Sequence, residues 1–309
     1  MSLPILKLPA FAKINWSLRV LDRRADGYHE LDTVFQTISL HDTITLTETN
    51  DNTIGLRCDD SSLPLDEGNF VFRAAKALQA LYPTGKGADI HLEKRIPVQA
   101  GLGGGSSDAA VTLIGLTHLW RINVAAKKVL ALAADLGADV PFFLQGGTAH
   151  GRGIGTDLMP LEDAPETLLL VLKPNKGVST TRAYAGLIRH CASLTTVEAK
   201  TILSSSERGE ISDSFNSKAL QNDFELVAFQ LEPEIERAKA ALMRAGAEAA
   251  LLAGSGSAVF GIFHNRDAQT RAIQMIELEA GWRVFPCRTV GRNPYRSAMG
   301  AAGEIFARF

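Results

Sequence analysis

An α+β fold in two domains is what the sequence predicts, and three observations carry the prediction. The 309-residue length suits two domains, or one large one, with ample chain for buried cores. Stretches alternating apolar and polar residues are interspersed with stretches of helical spacing. The segment Asp157 to Pro165, with its prolines and acids, offers a boundary and so places the domains at 1–158 and 159–309. Hydrophobic content of 46% and charged content of 21% are ordinary for a globular protein. A net charge of −2 gives no support for a nucleic-acid or membrane partner. The cysteines Cys58, Cys191 and Cys287 are scattered and lack metal-type spacing, which favours a reducing compartment. With no leader pattern and no apolar run of membrane-spanning length, a cytoplasmic location is expected.

Taken in order, Phe11 to Val20 alternates, with Ile14, Trp16, Leu18 and Val20 on one side and Lys13 and Asn15 on the other. That parity lets Lys13 and Asn15 face a cleft, although a solvated lysine is the commoner fate. Asp26-Gly27 signals a turn, and Leu31–Leu40 and Thr43–Thr47 read as two strands. Tyr28 and His29 beside the turn could hold a planar ligand or lie on the surface. Asp66 to Asn69 precede a helix over Phe70–Leu81, and Ala88–Glu93 reads as a strand leading to Lys94 and Arg95.

The stretch Pro97 to Ala110, PVQAGLGGGSSDAA, then carries Gly101, Gly103, Gly104 and Gly105 in one short window. Glycines admit a ligand close to the backbone, and Ser106, Ser107 and Asp108 are N-cap types before a helix. A glycine loop opening a helix gathers free N–H groups at the positive dipole end, an anion site that most often takes phosphate.

Asn123 can cap a helix to Leu136, stopped by Gly137. Asp139 follows it, before Val140-Pro141, where continued helix is disfavoured. A loop carboxylate flanked by Phe142 and Phe143 can accept a proton, or can serve as a cap or turn residue. Thr167–Leu172 reads as a buried strand, and Ser179-Thr180-Thr181 caps a helix containing Tyr184. Thr195–Asp213 is polar and weakly patterned. Asn222–Glu225 begins a helical region, and Pro233 opens a helix to Ala245, ended by Gly246. Gly254–Ser257 turns between two apolar strands, as a hairpin or as the floor of a site opposite the glycine loop. A helix from Asp267 to Leu278, a strand from Trp282 to Thr289 and a tail without assigned role close the chain.

The better-known nucleotide and hydrolase motifs are absent. No Gly-Lys-Ser/Thr follows the loop, and Ser106 stands where a dinucleotide fingerprint needs glycine. His-Glu-x-x-His and Gly-x-Ser-x-Gly are missing. A phosphate cradle, a strand lysine and a loop aspartate remain, a set suited to phosphoryl transfer.

These residues resemble the galactokinase, homoserine kinase, mevalonate kinase and phosphomevalonate kinase superfamily, the GHMP kinases. The resemblance rests on AKINWSL (Ala12–Leu18), PVQAGLGGGSSDAA and AGSGSAVFGIF (Ala253–Phe263). RADGYHEL from Arg24 and the triple glycine before Ser-Ser are similar to members acting on a cytidine-diphosphate sugar alcohol in non-mevalonate isoprenoid synthesis. The resemblance implies an ATP-binding N-terminal domain like the second domain of ribosomal protein S5, a ferredoxin-like C-terminal domain and a site in the cleft between them. It implies that Pro97, Val98, Gln99, Ala100, Gly101, Leu102, Gly103, Gly104, Gly105, Ser106 and Ser107 wrap ATP, with Lys94 and Asn69 near its base. Asp139 matches the proton acceptor and Lys13 its charged partner, able to stabilise developing negative charge. Asn15, Tyr28, His29, Thr180 or Thr181, and Tyr184 match substrate contacts. Tyr28 and Tyr184 would sandwich the cytosine, a stacking of about 1–3 kcal/mol per base in single-strand binders. Magnesium should accompany ATP. No acidic ligand for it can be placed, with Ser107 a candidate, and Trp16 departs from the usual aliphatic residue. A kinase for another small alcohol and a non-enzymatic nucleotide-gated module are the competing readings.

Overall fold

The computed structural model of the chain describes residues 4–24, 29–193 and 220–308. The expected turn at Asp26-Gly27, the clamp residue Tyr28 and the polar stretch Thr195–Asp213 lie outside the described residues.

Two long antiparallel strands, β1 (Ile5–Arg23) and β2 (His29–Thr49), organise a seven-stranded sheet. β2 is one strand where two were expected. The polar pair His41-Asp42 reads as a break, yet both residues stay in register opposite Phe11 and Ala10 of β1. β3 (Ile54–Cys58), β4 (Gly87–Glu93), β5 (Thr148–Gly153) and β6 (Asp157–Pro160) complete most of this sheet. β4 pairs with the far half of β2, and β5 with its near half. β3, β5 and β6 were not expected. The TAHGRG sequence of β5 has little β-branched or aromatic character, so its strand comes from its partner.

β7 (Leu168–Lys173) opens a second, four-stranded sheet. β8 (Gln221–Asn222) returns to β1 as a parallel neighbour, and β9 (Ala249–Leu252), β10 (Val259–Phe263) and β11 (Arg283–Arg288) complete the order β11-β7-β10-β9. The turn joining β9 to β10 is the expected hairpin at Gly254–Ser257.

α1 (Phe70–Leu81) begins as expected at Asn69, whose Oδ1 accepts from the Val71 amide at 2.9 Å. α2 (Gly104–Leu119) is buried on nearly every side, as a helix apolar all round must be. α3 (Ala126–Leu136) starts after Ala125, which makes no side-chain cap, so Asn123 does not cap it. α4 (Val140–Phe143) is a single turn, and α5 (Thr180–Ser193) starts after Ser179, whose Oγ accepts from the Arg182 amide. α6 (Glu225–Leu231), α7 (Pro233–Arg244) and α8 (Arg266–Met275) belong to the second half. α9 (Arg292–Ala298) and a 3-10 helix (Gly300–Arg308) form the tail.

Three apolar clusters hold these layers. The first joins the far half of the large sheet to α1, α2 and α3, and it also takes in Val290, Tyr295, Met299, Ala302 and Ile305 from the tail. The second packs α5, α6 and α7 on the smaller sheet. The third lies between the sheets and includes Ile14, Trp16, Leu102, Val171 and Phe260. Each such side chain contributes about 1.5–3 kcal/mol by leaving water, so the halves are joined by a core of their own. Trp16 fits there edge-on to Phe260 at 5.8 Å, which accommodates its departure from an aliphatic residue.

Candidate active site

The glycine loop crosses from β4 to α2. Gly103 stands at the helix N-terminus in the left-handed region, φ 70°, and offers no side chain to cap it. The expectation that Ser106, Ser107 or Asp108 caps α2 is thereby corrected: all three lie inside the helix, as its third to fifth residues. Glycine permits the helix to start earlier, and the first-turn amides carry no side-chain cap, as an anion site requires. A Cβ on Gly103 would sit 2.8 Å from Phe143 Cζ and 3.0 Å from Lys13 Cγ. On Gly101, φ 77°, it would sit 1.9 Å from the Ala253 carbonyl oxygen. The loop therefore lies against the β9–β10 turn, and the Ala258 amide donates to the Ala100 carbonyl at 3.0 Å. That places the turn where a floor opposite the loop was expected.

Loop and turn bound a cavity of about 590 Å³ lined from both halves of the chain. Pro97 to Ser106 line it continuously, together with Lys13, Asn15, Asn69, Lys94, Asp139, Thr180 and Tyr184. Thr181 and Ser107 do not line it; the Ser107 hydroxyl is buried without a partner among the described residues.

Bulges in the β1–β2 register flank Lys13 and Asn15 and aim both into the cavity. Lys13 is 4% exposed. Its Nζ donates to Asn15 Oδ1 at 2.9 Å, stands 3.5 Å from Asp139 Oδ2 and lies 5.4 Å from the centre of the Phe35 ring. Asn15 Nδ2 donates onward to Thr33 Oγ1 at 2.7 Å. Asp139 holds the N-cap position of α4 but makes no side-chain cap hydrogen bond, so its carboxylate is left to face Lys13.

On the opposite wall, Thr180 Oγ1 and Ser255 Oγ lie 3.0 Å apart. Tyr184 packs edge-on to Phe224 at 4.8 Å and near-parallel to His29 at 5.9 Å. Burial, with the Asp139 charge adding to it, pushes the Tyr184 hydroxyl up to about 12. His29 Nδ1 is 3.3 Å from the Leu21 carbonyl oxygen, and its Nε2 is buried without a partner among the described residues.

Lys94 is engaged differently from a free base-contacting lysine. Its Nζ bonds Asp108 Oδ2 at 2.7 Å and also Asp42 Oδ2, with its side chain 6% exposed. Asp42 Oδ1 in turn accepts from the Arg95 and Ile96 amides. Burial alone would depress the ammonium, but the two carboxylates outweigh it and hold Lys94 above its ordinary value. Burial pushes the Asp108 carboxyl up to about 8, against the pull of Lys94 and with the aid of Asp42. One ammonium between two carboxylates thus shifts Asp108 toward its protonated form. Asp42 and Thr33 are site-forming residues without a role in the sequence reading, and Asp108, a cap candidate there, is instead a partner of Lys94. An acid inside the apolar run SLHDTITL was the available signal for Asp42.

The sign for Asp108 follows from linkage. The unfolded carboxyl releases its proton above about 4, whereas the folded one keeps it to about 8. Across that window the folded state binds more protons, so stability falls as pH rises. Asp108→Asn keeps the shape of the protonated acid and cannot ionise, so its Tm is expected to change less than the wild-type Tm between pH 6 and 9. Equal slopes in the two proteins would refute the assignment.

A glycine loop feeding a helix N-terminus, with a lysine–aspartate pair at its mouth and an aromatic wall opposite, defines a small-molecule kinase of the GHMP type. The family models described as GHMP kinases N terminal domain and GHMP kinases C terminal match residues 69–147 and 206–280. A 4-diphosphocytidyl-2-C-methyl-D-erythritol kinase of Solibacter usitatus is 41% identical over 94% of this chain and 90% of its own length. One from Moorella thermoacetica is 41% identical over 88% and 95%. A crystal structure of 4-(cytidine 5'-diphospho)-2C-methyl-D-erythritol kinase superposes with a TM-score of 0.72 at 36% identity, over 93% of this chain and all of its own. The chain belongs to the 4-diphosphocytidyl-2-C-methyl-D-erythritol kinase family of GHMP kinases.

Proposed function

We propose that this chain transfers the γ-phosphoryl group of ATP to the C2 hydroxyl of 4-diphosphocytidyl-2-C-methyl-D-erythritol, a step in isoprenoid precursor synthesis. The observation that carries the reading is the Lys13–Asp139 pair, 3.5 Å apart, between the glycine loop and the Tyr184 wall of one cavity. The first-turn amides of α2 and the loop backbone hold the ATP phosphates. The acceptor oxygen attacks the γ-phosphorus, its proton passes to the Asp139 carboxylate, and ADP departs with the former bridging oxygen. Lys13, steadied by Asn15, offsets the charge that develops on the attacking oxygen. Asn69 and Lys94 stand on the nucleotide side. Thr180 and Tyr184 meet the acceptor together with Tyr28, and His29, stacked on Tyr184 at 5.9 Å, backs that wall without lining the cavity.

Magnesium suits this site as a companion of the phosphates. Among the described residues no group of three or more His, Cys, Asp or Glu could hold a metal. Asp139 is a cavity carboxylate that such an ion could meet, and an ion bound there would keep most of its ligands from phosphate and water. When bound, the ion neutralises phosphate charge. Among the described residues no helix is long and apolar enough to cross a membrane, and the cytoplasm, with its ATP, is the proposed setting.

A coupled assay of ADP release tests the reading. Turnover is expected with the diphosphocytidyl sugar alcohol and not with mevalonate, and cytidine nucleotides should compete with the acceptor. Comparable kcat/KM for mevalonate, or no competition by cytidine nucleotides, would overturn the acceptor assignment.

A further inference from the structure

The tail, a segment the sequence left without a role, is bound beside β5, β6 and α2. The Arg292 amide donates to Asp163 Oδ2 at 2.6 Å, and the Arg292 guanidinium donates to the Thr148 and Leu161 carbonyls. The 3-10 helix packs on α2. Between these anchors, α9 presents Tyr295, whose side chain is fully buried and inclined to the Phe11 ring at 5.6 Å.

The Tyr295 hydroxyl donates to the Phe143 carbonyl at 2.6 Å. Phe143 is the last residue of α4, the single turn that begins after Asp139. A four-residue helix cannot sustain itself, since its terminal carbonyls have no partner within it. Its geometry must come from outside. Phe142 stacks on Phe35 at 5.0 Å, and the Phe143 ring packs against Gly103, beside the Lys13 stem. Asp139 makes no cap hydrogen bond to this turn, so its distance from Lys13 depends on where the turn sits. Burial keeps the Tyr295 hydroxyl protonated, hence a donor throughout the working pH range.

We propose that Tyr295 is a positioning residue for Asp139: its hydroxyl fastens α4 to the C-terminal segment and so holds the carboxylate against Lys13. The proposal rests on Asp139 being the proton acceptor. The tail then supports the phosphoryl-transfer site although none of its described residues lines the cavity.

The test compares full-length Tyr295→Phe, Ile305→Ala and Asp139→Asn with wild type, well below their Tm values. Tyr295→Phe removes only the hydroxyl. Its kcat is expected to fall about tenfold, with both KM values within about twofold, because a reacting group displaced by a fraction of an ångström loses rate before binding. Ile305, in the same core and without any hydrogen bond to α4, is the stability control. Ile305→Ala is expected to lower Tm at least as much and keep kcat within about twofold, since it opens a cavity in that core and leaves the Tyr295–Phe143 hydrogen bond in place. A wild-type kcat in Tyr295→Phe, or an equal kcat loss in Ile305→Ala, overturns the proposal. If Asp139→Asn stays active, the proton-acceptor reading fails. If it is inactive while Tyr295→Phe is fully active, only the fastening by Tyr295 fails.

Discussion

Asp139→Asn is expected to lower kcat by about 10²–10⁴-fold, the usual contribution of a positioned general base. The amide nearly matches the carboxylate in shape and cannot take the acceptor's proton. ATP binding should survive, because the glycine loop and the first turn of α2 are built without Asp139. Folding should survive too. The Asp139 side chain does not cap α4, and Lys13 keeps its bond to Asn15 when its ion partner is gone. Steady-state kinetics with both substrates, together with binding of a fluorescent ATP analogue, separate the two effects. Turnover close to wild type would remove Asp139 from the chemistry. Loss of ATP affinity in step with kcat would point to a collapsed loop.

Lys94→Met should produce the largest loss of stability, about 3–5 kcal/mol, the usual result of removing one partner from a buried ionic cluster. Methionine fills the stem's volume and leaves Asp42 and Asp108 facing each other with side chains 0% and 3% exposed. Asp108 is shifted toward its neutral form, so the unpaired charge falls chiefly on Asp42, which retains the Arg95 and Ile96 amides. The urea midpoint reports the loss. The double variant Lys94→Met/Asp108→Asn should recover part of it, since residues in one network are not additive. A loss under about 1 kcal/mol, the level of an exposed pair, would mean that water reaches the trio. Lys94 has its own sign with pH. Its folded value is raised, so its contribution is complete below the ordinary lysine range and is lost as pH rises through the raised value.

The same trio shows where legibility in the sequence ended. Asn69 announced its cap because the amide it accepts from belongs to Val71, two residues away. The β9–β10 turn was equally legible, since its glycines and flanking apolar runs lie within one short segment. Asp42 looked like a strand terminus because an isolated carboxylate does not belong inside a sheet. Lys94 and the Arg95 and Ile96 amides, brought alongside by β4, make it tolerable there. β5 has no strand signature of its own and exists because β2 offers it an edge. The helix start at Gly103 was hidden for a different reason. Ser106, Ser107 and Asp108 are good caps by type, and their place inside the helix is set by packing of Gly103 against Phe143 and Lys13.

By itself the sequence determined the parts whose physics is local: an anion-binding helix start, a lysine and an asparagine sharing one side of a strand, a carboxylate freed by a helix stop. Family-specific motifs added what such parts are for. Tertiary structure decided the 3.5 Å distance at which Lys13 meets Asp139 across one cavity, the burial of Asp108 beside Lys94, and the grip of the tail on the turn that follows Asp139. Each of these depends on groups far apart in the chain. Their energies come from burial and from distances of a few ångströms, which no spacing along the sequence encodes.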